Sequence, residues 1–433
     1  MKKLKARALR IAGAAALAAA GFVALASLPW GPSPAAGPVR VETAVRGTGP
    51  LRAGAAEIPL DLAGDVPIAG FARASYRSEG VRDRVAARAL VLAAPGCAVA
   101  LVSADLLLVP GDLDRAVRER IANLSLDGVV IAATHTHAGP GGYWEDFLGQ
   151  RLATGPYRRE ALERVADAVA EVIRAAAGSL RPARVAHASA RLDDLVRNRT
   201  GGPVDASLDG LRVEAADGST IAELIVFPAH PTLLGKGNRL LSGDWPARLG
   251  AAPGRGVRLF FQGAVGDQSA RLPAGLPYGA TEYGDAVRAR VDALPYPAPE
   301  AEPVLAFARA RTPLPAPSPG AVPALLRRAA ANLLFRDTPR SAVVSALRIG
   351  SVVLVAVPAE PVAEAGARLR GAAGGQAVVV SLAGDYLGYV ETPERTAAGA
   401  GESVRTYYGP ALAERLEEGA RAAAAAVAPG RGP

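Results

Sequence analysis

Sulfur and imidazole are scarce in this chain: its 433 residues include one cysteine, one methionine and four histidines. A single Cys97 excludes an intramolecular disulfide, so a protein of this size must be held by its core. The residues after it, Ala98 to Val102, read as a buried strand, which makes the thiol a small apolar packing group. Acids are absent from the first thirty residues, where Lys2, Lys3, Lys5, Arg7 and Arg10 supply five of the formal +8 charges. Without those five the balance is +3, too small an excess to indicate a nucleic-acid partner. Internal repeats and heptads are also missing, and a 50% hydrophobic composition excludes a disordered chain.

The cationic start runs into Ile11 to Leu28, an alanine-rich apolar stretch. That order is the layout of a secretory signal, and Ala24-Leu25-Ala26 offers a small-x-small cleavage site. Residues 1–30 are therefore expected to act as a signal peptide or a membrane anchor, with the protein exported to a periplasm, secreted, or held at a membrane. Gly31 to Pro38 is rich in proline and glycine, and residues 31–55 read as a linker.

From there short apolar runs alternate with helical patterns, which predicts an α/β fold with mixed sheets flanked by helices in one large domain over residues 56–430. Strands are expected at Ala86 to Ala93, Ala98 to Ser103, Gly128 to Ala133, Ile221 to Phe227, Val257 to Phe261, Ser351 to Val357 and Ala377 to Leu382. Helices are expected at Pro156 to Ala177 and Pro410 to Val427. The proline-rich stretch Pro295 to Pro323 is the best internal break, or a long excursion within the domain.

Against so few histidines, Thr134-His135-Thr136-His137 followed by Ala138-Gly139-Pro140-Gly141-Gly142 stands out. Side chains two apart on a strand share a side, so His135 and His137 are expected to face one site with a metal or proton-transfer role. Other loops after strands carry His230, Glu360, Tyr386 and Tyr389, and the segment Gly266-Asp267-Gln268-Ser269. Chemistry alone lets His135, His137, His230 and Glu360 stand around zinc, although ligands spread over so much sequence make an unspecific pattern. Arg199 and Ser269, taken singly, read as a surface charge and a turn residue. His187 reads as structural.

Taken in order, these segments resemble the catalytic domain of the neutral, non-lysosomal ceramidases. The resemblance runs from about Ala56 to the last helix. It rests on Val102-Ser103-Ala104-Asp105-Leu106, the two-histidine segment, Asn198-Arg199-Thr200, the surroundings of His230, Gly266-Asp267-Gln268-Ser269, Pro358-Ala359-Glu360, and Tyr389-Val390 with Thr392. It implies a Zn2+ ion on His135, His230, Glu360 and Tyr389, with His137, Arg199 and Ser269 as proton-transfer, substrate-positioning and active-site hydroxyl groups. The implied reaction is amide hydrolysis in which zinc acidifies a water and polarises the carbonyl. An N-acyl lipid or other amide is the implied substrate, with a membrane surface as partner; the oligomeric state is not legible.

Two departures from the family pattern stand out. A further tyrosine expected about a dozen residues after the ligand tyrosine falls near Gly401 here, leaving Tyr407 or Tyr408 to supply a donor. The chain also ends without the additional β-sandwich of full-length ceramidases. The first departure motivates a rival reading, a non-catalytic lipid-binding surface protein with a retained zinc site. A metal-independent serine hydrolase centred on Ser269 is a third.

Overall fold

Large apolar residues and small ones alternate along the strands, and this alternation builds the molecule in layers. Within Ala86–Ala94, Leu90 and Leu92 point one way while Ala87, Ala89 and Val91 point the other. In Leu305–Pro313 the same division separates Leu305 and Phe307 from Ala306, Ala308 and Ala310. Successive side chains on a strand face opposite ways, so the bulky sets meet between two sheets and the small sets leave room for helices outside. Four layers result in the computed structural model, with helices on the outer face of each sheet.

The structure describes residues 2–29, 33–34, 37–61, 66–72, 75–250, 256–273, 275 and 277–430, and side chains from residue 11 onward. Residues 1 and 30 and the side chains of the cations in the expected signal segment, and residues 31–32 and 35–36 of the expected linker, lie outside the described residues.

One sheet has eight strands in the spatial order Val257–Phe261, Thr220–Val226, Ser207–Ala215, Arg181–Arg191, Arg52–Pro59, Ala86–Ala94, Cys97–Ala104, Gly128–Ala133. The other has five, in the order Arg40–Gly47, Leu305–Pro313, Ser341–Ile349, Val352–Ala356, Ala377–Val380. Both sheets are mixed, with parallel pairs at Cys97–Ala104 with Gly128–Ala133, at Thr220–Val226 with Val257–Phe261, and at Val352–Ala356 with Ala377–Val380. Helix Arg159–Gly178 covers the first sheet through Val165, Val169 and Ile173, and helix Ala411–Ala426 covers the second through Leu412, Leu416 and Ala420.

Every expected strand and both expected helices are present within a few residues of their anticipated limits. Residues 31–55 are more than a linker, because Arg40–Gly47 pairs antiparallel with Leu305–Pro313 as an edge strand. Pro295 to Pro323 is no break either: Leu305–Pro313 lies inside the five-stranded sheet, between Arg40–Gly47 and Ser341–Ile349. At the N-terminus, Lys2–Ala26 is one helix, and no described helix is long and apolar enough to cross a membrane. Cys97 is buried, and burial pushes its thiol up to about 12, in keeping with a packing role.

Candidate metal centre and active site

Parallel strand pairs release their loops at the same end, and five such loops converge here. Strands Gly128–Ala133, Thr220–Val226, Val257–Phe261, Val352–Ala356 and Ala377–Val380 lead to His135, His230, Asp267, Glu360 and Tyr386 respectively. Gln262 ties three of them. Its side-chain amide donates to the carbonyls of Thr134 at 3.0 Å and Ala229 at 3.2 Å, and its backbone carbonyl accepts from Ser381 N–H at 2.9 Å.

The histidine pair meets, but not by strand alternation. The strand ends at Ala133, and His135 has φ +68°, a left-handed conformation that is uncommon for a residue with a Cβ. That turn brings the rings of His135 and His137 to 4.9 Å at an angle of 84°, and places the His230 ring 4.9 Å from His135. Gly70, at φ +89°, closes over His137: a Cβ there would stand 2.8 Å from the imidazole Nδ1.

Backbone carbonyls decide which nitrogens face the site. His135 Nδ1 is 2.7 Å from Leu107 O, and His230 Nδ1 is 2.8 Å from Gln268 O. A carbonyl only accepts, so each Nδ1 carries the proton and each Nε2 presents a lone pair. Glu360 Oε2 lies 3.1 Å from His135 Nε2 and 3.3 Å from His230 Nε2. His135 Nε2 and Glu360 Oε2 are nonetheless buried without a hydrogen bond.

Three lone pairs this close, in a site without a proton to share, call for a cation. The spacing also fits: donors about 2.0–2.1 Å from a tetrahedral zinc stand about 3.3 Å from one another. Tyr389 OH, 3.4 Å from His230 Nε2, completes a four-donor set. A looser grouping of His135, His137 and His230, with ligand atoms within 4.8 Å of one another, overlaps it. The shorter distances favour the set containing Glu360, leaving His137 beside it.

Register delivers two of these groups together, because Glu360–Pro361 pairs in parallel with Tyr389–Val390 and sets Glu360 opposite Tyr389. Tyr386, three residues earlier, takes the other side of the carboxylate and donates to Glu360 Oε1 at 2.7 Å. Arg199 donates to Tyr389 OH at 3.1 Å, to Gly266 O at 2.7 Å and to Glu402 Oε1 at 2.7 Å. Much of its planar fork is thus spent on fixing the tyrosine. Ser269 sits on the short strand Gln268–Ala270, bridged to His230 through the backbone. Among the described residues its hydroxyl has no hydrogen-bonded base, which weakens the serine-nucleophile reading. His187 stands apart, 3.0 Å from Asp209 on the neighbouring strand.

Charge in the site follows burial. Burial and then the charge of Arg199 push His230 down to about 4, and burial with the adjacent His135 and His230 carries His137 well below its usual value. Burial would raise the Glu360 carboxyl, but positive charge at the two flanking imidazole positions overturns this and holds it well below the usual range. Burial and Glu360 push the Tyr389 phenol up against the pull of Arg199.

Glu402 was not legible in advance, and neither were the supporting roles of Tyr386 and Asp267. Glu402 anchors Arg199 across 203 positions of sequence, Tyr386 braces Glu360, and Asp267 accepts from the backbone of Ala363 at 2.9 Å and from Asn198 at 2.5 Å. Only the neighbourhood of Asp267, with glycine before it and a polar run after it, hinted at a structural turn. The expected tyrosine is not replaced by Tyr408, whose hydroxyl is committed to Pro339 O at 2.6 Å. Tyr407 is better placed, with its ring 6.1 Å from that of Tyr386.

These two tyrosines line a cavity of about 1010 Å3 whose walls also include Trp144, Phe335 and Asp385 but none of the three site histidines. The cavity therefore adjoins the metal centre across Tyr386. Burial raises the Asp385 carboxyl to about 6 despite hydrogen bonds from Tyr386 N and Gly111 N. A folded-state pKa above the unfolded one means that ionisation costs stability as pH rises from about 4 through 6. Asp385→Asn is expected to gain about 3 kcal/mol over the parent at pH 8 and nothing below pH 4, read by thermal melts at both values. Equal melting shifts at both pH values would refute the assignment.

Residues 54–248 match the family model for the neutral/alkaline non-lysosomal ceramidase, N-terminal. Over those residues the chain is similar to that family. A neutral ceramidase from Mycobacterium tuberculosis is 28% identical over 206 residues, covering 42% of this chain and 32% of that protein. One from Pseudomonas aeruginosa is 26% identical over 202 residues, covering 42% and 30%. The matched stretch thus spans about a third of each of these curated relatives. In structure, the crystallised neutral ceramidase of Pseudomonas aeruginosa superposes with a TM-score of 0.77 at 21% identity, over 87% of this chain and 74% of the other. The ceramidase fold therefore extends well beyond the stretch that sequence similarity covers.

Proposed function

We propose that this chain is a zinc-dependent amide hydrolase that cleaves an N-acyl sphingoid or related N-acyl lipid amide at a membrane surface. The observation that carries the reading is the convergence of His135 Nε2, His230 Nε2 and Glu360 Oε2, three buried lone-pair atoms with both imidazole Nδ1 atoms already committed. Zinc held by these groups and Tyr389 supplies Lewis-acid activation of a water and of the amide carbonyl.

The chain's own residues do the rest. His137 is held neutral beside the buried donors, where its imidazole stands to take the proton of the attacking water and pass it to the leaving amine. Arg199, fixed by Glu402, holds the Tyr389 hydroxyl in place and keeps a cation next to the developing oxyanion. The similarity to neutral ceramidases supports the substrate class, and the lipid portion of the reading rests on it.

The test is metal analysis of the purified protein together with fatty-acid release from a panel of N-acyl amides that includes an N-acyl sphingoid base. Chelation is expected to stop turnover and zinc to restore it. His137→Ala is expected to keep its metal and lose about 100- to 10,000-fold in turnover, as for removal of a general acid–base group. Silence across the whole panel by metal-replete protein would favour the non-catalytic reading.

A further inference from the structure

Large apolar side chains normally turn inward, and where they turn outward together they mark a surface that meets something apolar. Sixteen are exposed among the described residues, and eleven of them lie in three segments: residues 11–28, helix Phe147–Leu152, and residues 325–334. In the last segment the usual order is inverted. Ala329, Ala331 and Asn332 are buried, while Leu325 is 86% exposed and Leu326, Leu333 and Leu334 also face outward.

The segments adjoin one another. Asn332 donates from its side chain to the carbonyls of Ala26 and Leu28, joining helix Arg327–Leu334 to the end of the N-terminal helix. Phe147 and Leu148 share the lining of the 1010 Å3 cavity with Phe335 and Arg336, so helix Phe147–Leu152 and the residues just after helix Arg327–Leu334 meet at the cavity that Tyr386 also lines.

Charge identifies the occupant. Residues 2–28 carry five cations and no acid, and residues 323–340 carry Arg327, Arg328, Arg336 and Arg340 against Asp337 alone. These two segments together account for the whole formal net charge of +8, which leaves the remainder of the chain neutral. Exposed leucines set among arginines are the pattern of an element that lies in the headgroup region of an anionic bilayer.

We propose that helix Arg327–Leu334, with the preceding Leu325 and Leu326, is an interfacial docking surface that seats this protein on an anionic membrane leaflet beside the Tyr386 cavity. The proposal rests on the lipid-amide reading for its purpose, but its test reads lipid binding alone. Loss of hydrolysis and loss of docking are therefore separable.

Leu325→Cys in the full chain gives a labelling site, since Cys97 is buried and its thiol stays protonated at neutral pH. An environment-sensitive fluorophore there is expected to shift to the blue, and to be quenched by nitroxide-bearing lipids, on phosphatidylcholine vesicles containing phosphatidylglycerol. The same probe at Asp217→Cys, in the turn at the far end of the strand leading to His230, is expected to stay unshifted. Arg327→Gln with Arg328→Gln is expected to weaken vesicle binding on the order of tenfold, because anionic headgroups attract each basic side chain near the surface. A protein that sediments with vesicles while the Leu325→Cys probe remains unshifted would overturn the proposal, as would equal binding to pure phosphatidylcholine. Leu325 is exposed while Arg327 and Arg328 are half-buried, with Arg327 donating to Val322 O at 2.9 Å, so each variant is melted beside the parent, and a parent-like melt ties any loss of binding to the surface.

Discussion

Glu360→Ala is expected to leave the protein without bound metal and to reduce amide hydrolysis to background. Among the described residues the carboxylate is the one anionic oxygen beside both His135 Nε2 and His230 Nε2, at 3.1 and 3.3 Å, and its removal leaves two neutral imidazoles and the Tyr389 phenol to hold a divalent cation. Tyr386→Phe is the graded control. It removes one donor, 2.7 Å from Glu360 Oε1, and leaves all four ligand groups in place. Loss of an outer partner of this kind costs about 10- to 100-fold in metal affinity, and loss of a ligand is expected to cost more. Metal content after dialysis against a graded chelator series orders the variants: parent tightest, Tyr386→Phe intermediate, Glu360→Ala empty. Stoichiometric metal and full turnover in Glu360→Ala would rule out this donor set, and the looser grouping of His135, His137 and His230 would take its place.

That donor set also shows where sequence reasoning succeeds and stops. The strands that lead to the candidate ligands, such as Gly128–Ala133 and Val352–Ala356, are buried on both faces and appear as continuous apolar runs. Leu305–Pro313 does not, because Arg309 and Arg311 interrupt it and prolines crowd its flanks, so a strand inside the second sheet reads as an excursion. The N-terminal strand Arg40–Gly47 is an edge strand with mostly exposed side chains, and it lacks an apolar pattern for the same reason. In the site, the histidine pair was legible by its scarcity, but its geometry was not. The φ of +68° at His135 is imposed by tertiary hydrogen bonds from His135 N to Leu106 O and from Thr134 N to Ala104 O. The Arg199–Glu402 pair was equally hidden, since nothing local ties an arginine to a carboxylate 203 residues away.

Gly401→Tyr, the substitution that restores the residue expected from the family pattern, is expected to lower both stability and turnover. Gly401 has φ +62°, where a residue with a Cβ costs roughly 1–2 kcal/mol. A Cβ at this position would collide with Glu391 Oε2 and lie 2.8 Å from an Arg395 nitrogen. Glu391 cannot step aside cheaply, because its carboxylate accepts from Glu402 N and Thr392 N, each at 2.9 Å. Breaking these two bonds adds about 1 kcal/mol each, for a total on the order of 3 to 4 kcal/mol. The displacement also reaches the centre, since Glu402 is the residue that fixes Arg199, and Arg199 in turn holds the Tyr389 hydroxyl. Gly401→Ala separates the causes: it introduces the same Cβ and backbone strain without a phenol, and it is expected to lose most of the same stability in a thermal melt. If the missing donor were the only difference from the family pattern, Gly401→Tyr would instead raise turnover by the 100- to 1,000-fold, about 2.7–4 kcal/mol, that one oxyanion donor supplies. A gain of that size would show that the Glu391–Arg395 packing yields to the ring. A loss, with Tyr407→Phe also reducing turnover, would show that this chain has rebuilt the oxyanion side of its site around Tyr407.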